Sequence, residues 1–530
     1  MRDLQAPGRS PTYATRAMAA TSSTQSTLVA LDILRAGGNA LDAAIAACAV
    51  QCVVEPGSTG IGGDNFTMWA PAGGDIVAFN GSGRAPTGAT PEWFAKEGIG
   101  TIERTSPHAV VVPGAVDAWA TLNRDHGRLP LADLLAPAIH FAREGYPVGQ
   151  RVASDLAGSV AHLRSNEALA AIFLPDGEPP REGTLHRQPA LARTLEAIAE
   201  SGREAFYEGE VAREMVDVLS GMGGLHTPED FAAMRGEYVQ PISTDYRGLT
   251  IHECPPNGQG VIALMMLNVM SSYDVADDPL SVDRIHLELE VCRQCYRARD
   301  QFLADPGQAE VPVEAMLSEG FAKTIRERIR MDRANTAPAP FSTPHPDTVY
   351  ITVVDEERNA CSFINTLFEG WGSGITAPKS GVVLTNRAQG FSLDPDHPNA
   401  IQPGKRPLHT IIPAIATRDG ETELSFGVMG GQYQAMGQMQ FLTRHLDYGA
   451  DVQEAMDWPR WMADPFTGDV EIERGVPDAT VAALRDRGHA IERAERPIGG
   501  SQAIRLGSGD AGGVLAGGSD PRKDGCALGY

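Results

Sequence analysis

The spacing of apolar residues changes at about residue 348. Before this point, leucine, alanine and glutamate recur every three or four residues in segments such as "LADLLAPAIHFAREG" and "PALARTLEAIAESG", which predicts helices over most of residues 112–331. After it, β-branched and apolar residues dominate "TVYITVVD", "ACSFINTLF", "SGVVLTN" and "AIATRDGETELSFGVM", which predicts strands, with a hairpin at Asp419-Gly420. A mostly helical first part therefore precedes a β-rich second part, which indicates an α+β fold.

Two helices are predicted near the start of the chain. The segment "STQSTLVALDILRAGG" has helical spacing and ends at Gly37-Gly38. The next segment, "NALDAAIAACAVQCVV", has Asn39 as N-cap and Asp42 in the position of a capping box, and its apolar residues on every side predict a buried helix. The glycines of "EPGSTGIGGDNFTMWAP" then lead into a strand, and this order favours close backbone packing over a nucleotide site.

The proline-rich stretch "TAPAPFSTPHPDTVYITVVD" (336–355) separates the two parts and admits two interpretations. One is an ordinary interdomain linker followed by a strand. The other is self-cleavage between Asp347 and Thr348, because an N-terminal threonine carries its own base in an α-amino group with a pKa of about 7.7–8.0. The linker and strand alone leave both interpretations open.

The other candidate functional residues also have ordinary structural explanations. Gly430-Gly431 lies between a predicted strand and the helix in "QYQAMGQMQFLTRHLDYG", where N–H groups suit an oxyanion hole, although glycines also open helices for packing reasons. Arg84 in "NGSGRAPTGATP" could grip a carboxylate or lie on the surface. His108, His397 and His409 lack metal-ligand spacing and are expected to serve as hydrogen-bonding scaffold.

Composition excludes several classes of function. A net charge of −24 and a pI near 4.9 argue against binding to nucleic acid or to an anionic membrane surface. The seven cysteines do not form a disulfide pattern, and Cys292 and Cys295 are expected to be plain thiols rather than metal or redox ligands. No signal peptide or spanning segment is recognised, so a cytoplasmic location is expected. No metal and no other cofactor are expected.

Many segments resemble the γ-glutamyltransferase (glutathione hydrolase) family of N-terminal nucleophile hydrolases. They include "GGNALDAAIA", "EPGSTGIGGDNF", "GSGRAP", "VPGAVDAW", "CPPNGQG", "DTVYITVVD", "GKRPLHTIIP" and "GVMGGQY", in the family's order over nearly the whole chain. The resemblance implies an αββα four-layer sandwich, with two stacked antiparallel sheets between helical layers. It also implies a proenzyme that cuts itself into a large chain, 1–347, and a small chain, 348–530, which stay associated in one intertwined domain.

The resemblance also implies roles for single residues. Thr348 would be the nucleophile, with its freed amine as base, and Thr366 the second threonine that hydrogen-bonds it. Gly430 and Gly431 would form the oxyanion hole, and Arg84 would hold the substrate carboxylate. The reaction would be acyl transfer from a small-molecule amide to water or an amine through an acyl-enzyme.

Five positions depart from the family pattern. Gly390 stands where an acidic residue usually binds the substrate α-amine, Arg387 replaces a glutamine, Phe368 an asparagine, and His409-Thr410 a pair of serines. The expected function is a self-processing hydrolase or acyltransferase of this family that cleaves γ-glutamyl or similar carboxylate-bearing amides, with Arg84, Arg387, His409 and Thr410 as substrate-binding residues. The departures also suggest an alternative, an amidohydrolase for small carboxylated amides that lack an α-amine, as in the oxamate amidohydrolase branch. A further alternative is an unprocessed, non-catalytic binding homologue.

Overall fold

The computed structural model describes residues 8–275, 277–335, 348–465, 467–507 and 513–530. The strands are β1 (Thr12–Ala14), β2 (Met18–Thr21), β3 (Asp64–Ala70), β4 (Val77–Gly81), β5 (Tyr146–Pro147), β6 (Leu185–His186), β7 (Glu237–Val239), β8 (Ile242–Tyr246), β9 (Leu249–Glu253), β10 (Val349–Val354), β11 (Ala360–Thr366), β12 (Thr376–Ala377), β13 (Val382–Val383), β14 (Ala414–Arg418), β15 (Glu421–Met429), β16 (Trp461–Ala463), β17 (Val470–Ile472), β18 (Ile491–Arg493), β19 (Gly500–Leu506), β20 (Leu515–Ser519) and β21 (Cys526–Gly529).

The helices are α1 (Thr24–Arg35), α2 (Ala40–Val54), α3 (Pro91–Lys96), α4 (Ala115–His126), α5 (Leu131–Glu144), α6 (Gln150–Gly158), α7 (Val160–Leu163), α8 (Glu167–Phe173), α9 (Pro189–Ser201), α10 (Arg203–Tyr207), α11 (Glu210–Gly221), α12 (Pro228–Ala233), α13 (Gly260–Met270), α14 (Val282–Phe302), α15 (Val313–Met316), α16 (Glu319–Arg328), α17 (Tyr433–Leu446), α18 (Val452–Asp457) and α19 (Asp478–Asp486). Short 3₁₀ turns lie at Pro107–Ala109, Pro175–Gly177 and Arg387–Gly390.

Two seven-stranded antiparallel sheets form the centre of the fold. Sheet A has the order β1-β20-β19-β15-β14-β9-β8, and sheet B the order β21-β2-β10-β11-β3-β4-β7. Side chains from both sheets, among them Phe66, Tyr350, Ile415 and Ile504, form a core cluster between them. The outer face of sheet B packs on helices that include α2, and the outer face of sheet A on helices that include α17. This is the αββα sandwich predicted from the sequence.

The two parts of the chain share both sheets. In sheet B, β10 and β11 lie between β2 and β3, and in sheet A, β14 lies between β15 and β9. The first part, predicted as mostly helical, therefore also supplies seven of these fourteen strands. Strands such as β2 and β3 are buried along their whole length, so they lack the alternation of apolar and polar residues that marks a half-exposed strand. The proline-rich stretch 336–347 lies outside the described residues.

Local predictions hold where local geometry decides them. The capping box joins Asn39 and Asp42, and all fifteen residues of α2 are buried. Asp419 and Gly420 have φ angles of 52° and 87°, as the tight hairpin between β14 and β15 requires. The segment "SGVVLTN" forms only the two-residue strand β13, which pairs with β12.

The cysteines are free thiols. Cys292 and Cys295 are buried within α14, and burial raises the pKa of both. In the described part of the chain, no cluster of three histidine, cysteine, aspartate or glutamate residues could hold a metal ion. Among the described helices, none is both long and apolar enough to cross a membrane.

Candidate active site

Thr348 is buried where the chain enters β10, in the middle of sheet B. Its Oγ1 lies 3.3 Å from Oγ1 of Thr366, the last residue of the neighbouring strand β11. Thr366 Oγ1 also accepts a hydrogen bond of 2.9 Å from the backbone N–H of Phe368. The structure thus brings the two threonines together as predicted, while Asp347 lies outside the described residues.

The glycine turn before β3 lets the backbone approach Thr366. A Cβ atom on Gly63 would lie 2.0 Å from the Thr366 carbonyl oxygen, and one on Gly62 would lie 2.1 Å from the Val383 carbonyl oxygen. Such distances are far below van der Waals contact, so only glycine fits at either position. The predicted packing role of these glycines is confirmed.

Asp64, the first residue of β3, is the polar centre of the site and pairs with Thr366 across the sheet. It is fully buried, and its Oδ1 accepts a hydrogen bond of 2.7 Å from the Gly83 N–H. Its Oδ2 lies 3.1 Å from His409 Nε2 and 3.5 Å from Arg387 Nε. The sequence analysis did not single out Asp64, although a carboxylate directly after Gly62-Gly63 at the start of a buried strand was a usable signal.

Arg387 and Phe368, two of the departures from the family pattern, contact each other. The Arg387 guanidinium carbon lies 3.9 Å from the centre of the Phe368 ring, and Nη1 donates a hydrogen bond of 3.1 Å to Thr410 Oγ1. Nη2 is buried and has no hydrogen-bond partner among the described residues. Burial lowers the pKa of Arg387 to about 10, against the opposing effect of Asp64, so the side chain stays a cation at neutral pH.

His409 is a neutral hydrogen-bonding link. Its Nδ1 accepts a hydrogen bond of 3.3 Å from the Ile411 N–H, so Nε2 carries the proton and donates to Asp64. Burial, together with the nearby Arg387 cation, lowers the pKa of His409 to about 4 despite Asp64. The ring also stacks on Phe66 with centroids 4.7 Å apart. These contacts agree with the scaffold role expected from the sequence.

Arg84 lies next to the Asp64 cluster and is half-buried. It follows Gly83, which donates to Asp64, and it bridges to Val112 through backbone hydrogen bonds. Its Nη1 donates a hydrogen bond of 3.0 Å to the Gly404 carbonyl. The structure therefore brings Arg387, His409 and Thr410 together beside Asp64, while Arg84 joins this cluster through the backbone of Gly83.

A second buried carboxylate, Glu369, lies in the wall of the site and was also missed. Its Oε2 is 3.1 Å from Arg104 Nη1, and its Oε1 accepts a hydrogen bond of 3.0 Å from Asn386 Nδ2. Burial raises the pKa of Glu369, while Arg104 opposes the rise. Position 390 itself carries no carboxylate, as read from the sequence, but Asp64 and Glu369 reach the site from other elements. Since each is paired with a guanidinium group, neither is left to attract a substrate ammonium.

Gly430 and Gly431 lie between the end of β15 and the start of α17. Their φ angles of 113° and 54° favour glycine, and their carbonyls accept the first hydrogen bonds of the following turn. Gln259 Nε2 donates to the carbonyls of Gly431, at 3.1 Å, and of Thr410, at 2.9 Å, which ties this turn to the Arg387 side of the site. A cavity of about 730 Å³ reaches Gly430 and Trp371.

Comparison with known proteins finds matches along nearly the whole chain. A family model described as Gamma-glutamyltranspeptidase matches residues 26–530. The chain is 37% identical to the glutathione hydrolase-like YwrD proenzyme of Bacillus subtilis, over 94% of this chain and 95% of that protein. It is 34% identical to the oxamate amidohydrolase proenzyme of Klebsiella pneumoniae subsp. pneumoniae, over 94% and 96%. The crystal structure of a cephalosporin acylase from Bacillus halodurans superposes with a TM-score of 0.92 at 38% identity, over 100% of this chain and 99% of that one.

Proposed function

The chain belongs to the gamma-glutamyltranspeptidase family, and from this premise we propose that Thr348 is the nucleophile with which it hydrolyses or transfers the acyl group of an amide. The observation that carries the proposal is the approach of Thr348 Oγ1 to Thr366 Oγ1. The two atoms lie 3.3 Å apart, where the buried strand β10 begins and its antiparallel neighbour β11 ends. A threonine hydroxyl becomes nucleophilic when a base lies beside it and a second hydroxyl holds it in place.

Self-cleavage between Asp347 and Thr348 frees the α-amine that serves as this base. The amine accepts the Thr348 Oγ1 proton as the oxygen attacks the substrate carbonyl, and the N–H groups of Gly430 and Gly431 stabilise the resulting oxyanion. The substrate amine then leaves with a proton, and water or another amine takes the acyl group from Thr348. The large and small chains stay together after cleavage because strands of one pair with strands of the other in both sheets.

The acyl group that fits this site carries a carboxylate and no α-amine. The side chains of the site present three guanidinium groups, on Arg84, Arg387 and Arg104, against the two carboxylates of Asp64 and Glu369. A buried donor without a partner, as at Arg387 Nη2, favours a ligand that brings an acceptor. A substrate ammonium would lie near the Arg387 cation, with no carboxylate of the site left to pair with it. One relative is named for oxamate, which is an amide with a carboxylate and no amine.

Two p-nitroanilides test this preference. Glutaryl-p-nitroanilide and γ-glutamyl-p-nitroanilide differ only in the α-amine, and we expect kcat/KM to favour the glutaryl compound by about tenfold or more, because an unpaired buried ammonium costs a few kcal/mol. Arg387→Gln should lower this ratio. The matched control is Arg444→Gln, since Arg444 is also buried, has a pKa lowered to about 10 by burial, and stacks on Trp461 away from the Asp64 cluster. An equal or better rate with the γ-glutamyl compound would refute the proposed acyl specificity.

Intact masses test the nucleophile and separate the enzyme from a non-catalytic homologue. The wild-type chain should give two fragments that meet at Asp347/Thr348. Thr348→Ala should stay at 56.4 kDa and lack turnover, whereas Thr348→Ser should retain part of both activities. An uncut wild-type chain would favour the binding homologue, and a cut, active alanine variant would exclude Thr348 as the nucleophile.

A further inference from the structure

Four charged residues form a buried network close to the Gly430 turn. Arg522 donates to Glu473 Oε1 at 2.7 Å and to Asp520 Oδ1 at 3.2 Å, and Arg460 donates through Nη2 to Asp520 Oδ2. Arg460 and Asp520 are almost fully buried, while the side chains of Glu473 and Arg522 are each 12% exposed. We call Arg460, Glu473, Asp520 and Arg522 the ion network.

Both carboxylates of the ion network are ionised. Burial alone would raise the pKa of Glu473 and of Asp520, but the neighbouring guanidinium groups outweigh it and hold the pKa of each below its usual value. Buried charges of this kind fix geometry well because each one has several short, directional partners.

The ion network holds one backbone position, Ile498, from both sides. Arg460 Nη1 donates a hydrogen bond of 2.8 Å to the Ile498 carbonyl, and the Ile498 N–H donates one of 3.0 Å to Glu473 Oε1. The Asp520 N–H donates to the Ser501 carbonyl at 2.9 Å, which holds the chain just beyond. The segment 498–501, which includes the first two residues of β19, is therefore anchored to residues of the ion network.

Gly499, inside this anchored segment, lies against the Gly430 turn. A Cβ on Gly430 would lie 2.9 Å from the Gly499 Cα, and a Cβ on Gly499 would lie 2.4 Å from the Met429 carbonyl oxygen and 2.7 Å from Tyr433 Cδ1. Gly499 has a φ of 61°, and Tyr433 bonds through its N–H to the Gly430 carbonyl. The Met429 carbonyl and the Tyr433 ring, on either side of the Gly430 turn, thus lie against Gly499.

We infer that the ion network and Gly499 hold the oxyanion-hole turn, Gly430-Gly431, in position. This inference rests on the proposed function, in which the N–H groups of Gly430 and Gly431 stabilise the oxyanion. None of these residues is a catalytic residue. Their effect is on the direction in which the glycine N–H groups point, which matters most in the transition state, when the carbonyl oxygen becomes charged.

Gly499→Ala is the main test. The added methyl group forces the Met429 carbonyl or the 498–501 segment to move, so the turn between them is displaced. A misplacement of about 1 Å, or the loss of one oxyanion donor, lowers kcat by about 100-fold. We expect kcat of the processed protein to fall by about 10- to 100-fold, with KM changed by less than about threefold.

Gly449→Ala is the matched control. Gly449 has a similar φ of 69° but no atom within 4 Å of an added Cβ, so it imposes the same backbone strain without touching the turn. Its kcat and KM should equal those of the wild type. An unchanged kcat in processed Gly499→Ala, or an equal loss in Gly449→Ala, would overturn the inference.

Arg460→Lys tests the positioning role of the ion network if Gly499→Ala does not fold. Lysine keeps the charge next to Asp520 but lacks the planar fork that reaches both Asp520 and the Ile498 carbonyl. We expect kcat to fall by about three- to tenfold at nearly constant KM; wild-type kcat would contradict positioning by the network. Thr348→Ala separates the two hypotheses, because turnover in that variant refutes the proposed function itself, whereas normal kcat in Arg460→Lys refutes only the inference.

Discussion

Asp64→Asn should expose how strongly the buried charges of the site depend on one another. The substitution preserves the size of the side chain, and an amide oxygen can still accept the Gly83 N–H. The amide NH₂ group, however, would then face His409 Nε2–H and Arg387 Nε, which are both donors. The change therefore removes the negative charge beside a fully buried guanidinium and adds a clash between donors.

The burial of Arg387 determines which magnitude applies to this effect. Arg387 is fully buried and keeps its proton, since its pKa is about 10 even after the lowering by burial. Removing one partner of a buried ion pair costs about 3–5 kcal/mol, and we expect the free energy of unfolding of Asp64→Asn to fall by that amount. Arg387→Gln should cost less, because the neighbouring cation is one reason for the low pKa of His409, and without it the imidazole can take up a proton beside Asp64.

Urea unfolding followed by tryptophan fluorescence measures these costs. All variants are compared in a Thr348→Ala background, so that every chain unfolds as one uncut polypeptide. The double variant Asp64→Asn/Arg387→Gln should be more stable than the sum of the single losses predicts, by about 2 kcal/mol. Glu369→Gln is the control, and it should cost less than Asp64→Asn because its partner Arg104 is 31% exposed and keeps contact with water. Additive losses at Asp64 and Arg387 would refute the reasoning.

Two further predictions concern packing and pH. Gly63→Ala, whose methyl group would lie 2.0 Å from the Thr366 carbonyl oxygen, should prevent both self-cleavage and turnover, whereas Gly100→Ala, in open space, should leave the intact-mass pattern unchanged. His409 and His489 have pKa values lowered by burial to about 4 and about 3. Since unfolded histidine binds protons below a pH of about 6.5 and the folded protein does not, stability should fall as the pH drops from about 6.5 towards 4, by up to about 1.4 kcal/mol per pH unit for each histidine. A flat urea midpoint over this range would contradict that account.

Features that depend on neighbours along the chain could be read from the sequence. The capping box at Asn39 and Asp42, the burial of α2 and the hairpin at Asp419-Gly420 each follow from a few consecutive residues. The motif order identified the family that the profile match and the homologues show. The proposed positions of Thr348 and the glycine pair at the start of α17 came from the same motifs, and the structure places them at a strand entry and a strand-to-helix turn.

The sequence did not show how strands of the two parts pair with each other within each sheet. Strands such as β2 and β3, buried on both faces, carry no alternating pattern, and antiparallel pairing can join segments at any distance along the chain. This pairing sets β3 beside β11, and so Asp64 beside Thr366.

The family, the helices and turns with local signals, and the departures at Phe368, Arg387 and His409 could all be read from the residues alone. What those departures do together depends on how the chain folds. His409 is 345 residues from the Asp64 that it contacts, and the Phe368 ring covers the Arg387 guanidinium. The physical reason is that a buried charge is tolerated only with partners in space, and those partners come from strands and loops whose arrangement no local pattern encodes.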